Sequence, residues 1–310
     1  MRRTYLALTA PMLLLACDDA SAPPAPGPAH ATPPALMTIP ILPKIAFASD
    51  RDGDNDIYSI APDGGTLVKV TDTEDEETQP AWDRRVRVSF TTDRYIVHHD
   101  DNLEQSVGPR NGGIEERLTS SAEPDTYGAW SPDGTKFAFT SERSGNPDVW
   151  VIDFKTKGVP KQLTKNPGFD GHPAWDASGS YLVYSSDSGS AVRRIWKMNA
   201  TGTGKYPVTY GLSNDDFPNW DMQSDRVVFS SDLPGDIEIY SINVNGFGLR
   251  RLTMSPGIDT RPSYSPNGNQ IAFESHRDGN AEVYVMSREG GNPVNVTNDP
   301  DEDTGPAWSH

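Results

Sequence analysis

One tripeptide constrains this 310-residue chain more than any other feature. Pro80-Ala81-Trp82, Pro173-Ala174-Trp175 and Pro306-Ala307-Trp308 are copies of it. Gly128-Ala129-Trp130, Pro218-Asn219-Trp220 and Pro262-Ser263-Tyr264 are near copies. Their aromatic residues follow one another at 48, 45, 45, 44 and 44 positions. A fixed period in this range means a repeat architecture, in which each unit buries its apolar face against the next.

A whole unit reads Trp130-Ser-Pro-Asp-Gly134, Lys136-Phe-Ala-Phe-Thr-Ser141, a polar turn, Val149-Trp-Val-Ile-Asp153, a second turn, and Lys161-Gln-Leu-Thr164. Segments such as Ile45–Ala48, Tyr181–Tyr184 and Ile271–Phe273 are apolar at successive positions, as strands covered on both faces require. An aromatic recurs in the third strands (Tyr58, Trp150, Trp196, Tyr240, Tyr284) and is expected to pack between units. Ser131–Gly134 is hairpin chemistry: Pro presets the turn, Asp caps it, Gly takes the left-handed position.

The first unit lacks an opening tripeptide and starts at Ile45-Ala-Phe-Ala-Ser49, which matches the second strand of the others. The last tripeptide supplies the missing strand. Six four-stranded units then result with nothing left over. The expected fold is all-β: a six-bladed β-propeller of four-stranded antiparallel blades over residues 44–310, closed by the C-terminal strand joining the first blade. Blade two is the irregular member. It has Asp83-Arg84-Arg85-Val-Arg87 in place of the Ser-Pro-Asp-Gly turn, adds His98-His99, and reads as a longer loop from Asp101 to Gly113.

Ahead of the repeats, Met1-Arg-Arg is basic, and Leu6–Leu15 is apolar but too short to span a bilayer, so residues 1–16 read as a signal peptide. Leu14-Leu15-Ala16-Cys17 resembles the bacterial lipobox, which implies lipidation of Cys17, the single cysteine of the chain. Residues 17–43 are rich in Pro and Ala and read as an extended tether. The expectation is a lipid-anchored protein of the bacterial cell envelope, periplasmic or at the cell surface, that meets the membrane only through its lipid. The formal charge of −17 argues against nucleic acid as a partner.

The repeats resemble those of the TolB-type propeller, the WD-like repeat of bacterial envelope proteins, on Pro-Ala-Trp-Ser-Pro-Asp-Gly, Phe-Ala-Phe-Thr-Ser-Glu-Arg, the aromatic third strand and Gln-Leu-Thr. In that family a six-bladed propeller follows an α/β domain, and the propeller docks onto the peptidoglycan-associated lipoprotein Pal while the N-terminal region contacts TolA. No counterpart of the α/β domain is legible before residue 44. The resemblance therefore implies a propeller face that binds an envelope protein, a Pal-like lipoprotein being the candidate, and a monomer.

Two sets of positions stand out as sites. Five residues before each aromatic lies an acid: Glu77, Asp125, Asp170, Asp215, Asp259 and Asp303. They are expected on loops around one mouth of the channel. Either they form a ring for a cation such as Ca²⁺ or a basic partner, or each caps its own turn. Three residues before each aromatic the chemistry varies, as Gln79, Tyr127, His172, Phe217, Arg261 and Gly305. One slot with changing chemistry is what a binding surface on a repeated scaffold looks like, and also what drift looks like. Asp50-Arg-Asp-Gly-Asp-Asn-Asp56 has alternating acids, but its Gly is misplaced for a calcium loop and the closing Glu is absent; the same hairpin slot recurs in blades 3 and 6, so a structural turn with an ion pair is expected, Arg51, Arg143 and Arg277 facing nearby acids. No metal ligand set is assigned. No Gly-x-Ser-x-Gly, His-Glu-x-x-His or Gly-rich phosphate loop is present. The expected function is a non-catalytic protein-interaction module. The alternative is a propeller that binds glycans, or cleaves them as a metal-dependent lyase or hydrolase.

Overall fold

A computed structural model describes residues 43–84, 87–94, 103–109, 115–233 and 235–309. Cys17, the rest of the segments read as signal peptide and tether up to residue 42, Arg85 and His98-His99 lie outside the described residues. Among those described the secondary structure is strands and turns, and no helix is long and apolar enough to cross a membrane.

The strands form six four-stranded antiparallel sheets. Blade 1 is built from Ile45–Ser49, Asp56–Ile60 and Val68–Lys69, with Asp303–Trp308 as its innermost strand. The other five run in chain order from the inside out. Their inner strands are Glu77–Trp82, Asp125–Trp130, Asp170–Trp175, Asp215–Trp220 and Asp259–Tyr264. Each inner strand packs beside those of both neighbours, and the last packs against the first, so the six sheets close into a propeller. The outer strands are only two residues long, which leaves little free edge to pair with another chain.

Closure joins residues far apart in sequence. Ile45 pairs with Trp308 and Ala46 with Ala307. The Ser309 N–H donates to the Lys44 carbonyl at 2.8 Å, and the Lys44 N–H donates back to Ser309 Oγ at 2.8 Å. Trp82 Nε1 donates to the Ala307 carbonyl at 3.1 Å and ties blade 2 to the closing strand.

The core lies between blades. Phe47, Phe90, Phe139, Tyr184, Phe229 and Phe273 occupy one position of the second strand in all six and are almost wholly buried. Full burial of such a ring stabilises by about 1.5–3 kcal/mol. The third-strand aromatics pack in the same layers, as Tyr58 and Tyr240 show by joining clusters that span two blades.

A second repeat of buried polar residues holds the outer half of each blade. Thr71, Thr119, Thr164, Thr209, Thr253 and Thr297 each accept a third-strand N–H at 2.7–3.0 Å. Five of these hydroxyls donate in turn to an acid that opens the third strand: Asp56, Glu104, Asp148, Glu238 and Glu282. Blade 4 has Arg194 in that place. This is why Thr recurs in Gln-Leu-Thr: it satisfies a donor that the two-residue outer strand leaves unpaired.

The structure corrects the reading of blade 2. Glu104–Pro109 is no loop but the third strand, paired with Arg87–Thr92. Its apolar pattern is weak because its buried side chains are polar and hydrogen-bonded: Gln105 donates to Thr91 Oγ1 at 2.6 Å and to the Asp125 carbonyl at 3.1 Å. Arg87 pairs with Asp83 and lies 4.4 Å from the Phe154 ring centroid.

Candidate functional site

Each inner strand carries a bulge, and its ladder with the second strand slips at the same place in all six blades. The bulged residue is the variable one. Gln79, Tyr127, His172, Phe217 and Arg261 hold left-handed φ angles of 54°, 48°, 52°, 50° and 48°, and Gly305 holds 62°. The sequence placed these side chains on mouth loops. They sit within the inner strands instead, on the wall of the channel, because a β-bulge re-aims the side chain of its extra residue. Five non-glycine residues in this region cost roughly 1–2 kcal/mol each. Strain held at one position in five of the six blades marks a site the surrounding structure keeps in place.

Five of these six positions have their backbone N–H held by the preceding blade or by their own. The His172 N–H donates to Thr140 Oγ1 at 3.1 Å and the Arg261 N–H to Ser230 Oγ at 3.1 Å. The Gly305 N–H donates to Glu274 Oε2 at 3.0 Å, and the Tyr127 N–H to Gln79 Oε1 at 2.9 Å. The Phe217 N–H donates to Asp216 Oδ1 at 2.9 Å.

Their side chains meet. His172 stacks on Phe217 with centroids 4.2 Å apart and meets Tyr127 in a T-shaped arrangement at 4.2 Å, while Tyr127 and Phe217 are 5.8 Å apart. Arg261 lies 5.2 Å from the Phe217 ring and pairs with Glu274 at 2.7 Å. His172 Nδ1 is 2.5 Å from Asp216 Oδ1, and Arg193 pairs with the other oxygen of Asp216. Burial alone would raise the Asp216 carboxyl; His172, Ser185 and Arg193 beside it overcome this and hold it well below the usual range. Burial likewise opposes ionisation of Glu274, and His276 and Arg261 overcome it, so that group too is lowered. This aromatic and ionic cluster walls one end of a cavity of about 190 Å³, whose sides are the Pro-Ala-Trp segments. The cavity can take apolar or aromatic groups against its tryptophans and polar ones at Arg261 and Gln79.

The six acids are not loop residues. Each is the first residue of an inner strand and is buried. Each is engaged close to its own blade: Glu77 by Thr73 and Arg94, Asp125 by Arg143, Asp170 by Asn166, Asp215 by Ser213 and Ser231, Asp259 by Ser255, Ser275 and Arg277, and Asp303 by Arg51. Burial raises Glu77 to about 8 and also lifts Asp125, Asp170, Asp215 and Asp303. In the alternating-acid loop, Asp52 and Asp56 come together with Asp72, and the Lys69 ammonium sits between the three as their counter-ion.

Asp216, Arg193 and Glu274 were not singled out from the sequence. Glu274 had a signal: Phe273-Glu-Ser puts a charge in a slot that reads Phe-Ala-Ser, Phe-Thr-Thr, Phe-Thr-Ser, Tyr-Ser-Ser or Phe-Ser-Ser elsewhere. Asp216 had none, since it merely follows a repeated acid.

Comparison with known proteins gives one consistent picture. Residues 115–231 and 213–310 match the model of the TolB beta propeller domain. The Tol-Pal system protein TolB of Anaeromyxobacter dehalogenans is 29% identical over 110 residues, 36% of this chain and 25% of that protein. The Protein TolB homolog of Chlorobium luteolum is 30% identical over 150 residues, 36% of this chain and 34% of the relative. The chain thus matches about a third or less of the length of these two relatives. Among solved structures, TolB from Acinetobacter baumannii superposes with a TM-score of 0.73 at 19% identity, over 86% of this chain and 67% of that one, which speaks for the fold alone.

Proposed function

This chain belongs to the family of TolB β-propeller domains, and we propose that it is a lipid-anchored, non-catalytic interaction module of the bacterial cell envelope, binding another envelope protein at its channel. The observation that carries the reading is the ring of bulges. One left-handed backbone position is built six times and filled with six different residues, five of them strained non-glycine residues of distinct chemistry lining one cavity. A turn needed only for folding would be filled alike, as the acids beside it are. Relatives named for the Tol-Pal system point to a periplasmic setting and to a Pal-like lipoprotein as the partner. Anchoring rests on the lipobox at Cys17.

The test is a pull-down from detergent-solubilised envelope with mass spectrometry, comparing the native chain with Phe217→Ala and Arg261→Gln. One enriched protein lost in both variants supports the reading. Equal capture by all three sinks the channel as the docking site. The buried acids Asp170 and Asp215 are unsuitable for this purpose, because charge reversal there attacks folding.

A second reading, a glycan-binding or glycan-cleaving propeller with Ca²⁺ as the candidate cation, draws on the His172–Asp216 pair beside three aromatic rings. An oligosaccharide array probed with and without Ca²⁺ decides it. Silence in both conditions removes it.

A further inference from the structure

Four blades contain the same cationic plug. Two residues beyond the last Ser or Thr of the second strand stand Arg51, Arg94, Arg143 and Arg277, in blades 1, 2, 3 and 6. Each guanidinium pairs with the acid that opens the inner strand of its blade. In blades 1, 3 and 6 it also lies on the third-strand aromatic, 4.8 Å from Tyr58, 5.2 Å from Trp150 and 4.5 Å from Tyr284. In those blades its Nε donates to the strand-end serine at 2.8, 2.8 and 2.7 Å.

Blade 5 keeps every acceptor of this socket and lacks the plug. The acid is Asp215, and Ser231 Oγ reaches it at 2.6 Å. Phe229 and Tyr240 stack at 6.1 Å, the same separation as Phe47 and Tyr58. The plug position is Leu233, which is 53% exposed. A cavity of about 200 Å³ lies there, lined by Asp215, Ser231, Phe229, Tyr240 and Leu233, with Tyr210 and Leu249 also on its wall. Blade 4 lacks the arginine too, but there the Asn166 amide donates to Asp170 at 2.9 Å. Among the described residues Asp215 is met by hydroxyls alone, those of Ser213, Ser231 and Thr209.

We propose that the blade 5 cavity is a socket for an arginine side chain of a partner protein, received in trans where blades 1, 3 and 6 use one in cis. A guanidinium suits it better than an ammonium. Its flat fork can meet a carboxylate and a hydroxyl together while its face lies on an aromatic ring, as the three sister sites show. The surroundings fit a protein rather than a free cation. Tyr210, Leu212 and Phe247 are 71%, 90% and 73% exposed on the segments that flank the cavity, and apolar surface of this kind is covered by docking. The net charge of −17 favours a basic partner.

The socket shares no lining residue with the channel cavity, so its fate is independent of the reading above. The test is a side-chain-resolved NMR titration of the full chain with N-acetyl-arginine methylamide and with its uncharged isostere N-acetyl-citrulline methylamide. Saturable shifts on Phe229, Tyr240 and Leu233 with the arginine derivative, and none with citrulline, are expected. Leu233→Arg should abolish them and raise the Tm by about 2–4 °C, by filling the socket in cis. Leu233→Met, as a folding control, should keep the arginine response. No response at these residues, an equal response to citrulline, or an undiminished response in folded Leu233→Arg overturns the proposal.

Discussion

The Thr140 hydroxyl of blade 3 accepts the backbone N–H of His172 in blade 4, 32 residues on, at 3.1 Å. Both residues are buried, and the donor belongs to a strained left-handed residue. One contact therefore joins two blades and holds a channel residue in place. Ser230 does the same for Arg261.

Thr140→Val keeps the shape and removes the acceptor. It leaves a buried N–H unpaired, which costs about 1–3 kcal/mol. Thr140→Ser restores the oxygen and should recover most of the loss. Urea unfolding of the three proteins checks this. Equal midpoints for the Val and Ser variants would show that the hydroxyl carries no weight.

Glu77 gives the fold a pH dependence whose sign can be worked out. Its Oε1 accepts from Thr73 and Arg94, while Oε2 is buried without a hydrogen-bond partner. Burial raises the group from 4.5 to about 8. Between those values the folded chain keeps a proton that the unfolded chain has released, so this residue's contribution falls as pH rises through the window. Glu77→Gln should be flatter in Tm from pH 5 to about 8 than the native chain, with the gap widest at the alkaline end. Parallel curves would mean that Glu77 stays ionised throughout.

Deletion of residues 304–310 removes the inner strand of blade 1, including Asp303's neighbours and the Lys44–Ser309 exchange. It also strips the acceptor of the Trp82 indole. A ring cut in this way loses packing on both sides of the gap, so hydrogen exchange should rise across all six blades. Exchange confined to blade 1 would show that closure adds little beyond its own strand.

The ring itself was legible because one tripeptide repeats in every blade, and the missing first strand was legible because the counts at the two ends match. The third strand of blade 2 was not, since Gln105 and Ser106 are buried through hydrogen bonds that leave no apolar pattern. The variable slot could be read from the sequence, but its left-handed backbone could not: Tyr127 and Phe217 are bulky residues that no turn rule places at positive φ. The acids were legible as a repeat, and their Arg and Ser partners only as separate motifs. The blade 5 socket is visible in the sequence as Leu233 in an arginine slot, but only once the structure shows what the arginine does.

Gly128 stands where the other blades have Pro, and the reason lies in the next strand. A Cβ on Gly128 would fall 1.9 Å from the Phe137 ring and 2.6 Å from Gln105 Oε1. The residue facing that slot is Ile45, Val88, Leu182, Val227 or Ile271 in the other blades, and only blade 3 has Phe. Phe137 is fully buried, stacked on Phe139 and packed at a tilt against Trp130, so it has nowhere to move. The bulk of Phe137 is thus matched by the absence of a side chain at 128. Gly128→Ala should destabilise by roughly 1–3 kcal/mol through overpacking. Phe137→Leu should cost about 1 kcal/mol or more through the space it opens. The double variant should be more stable than the sum of the two predicts, since each change relieves the other. A double-mutant cycle by urea unfolding measures the coupling. Simple additivity would mean that the clash is absorbed by Gln105, and that glycine at 128 answers to something other than Phe137.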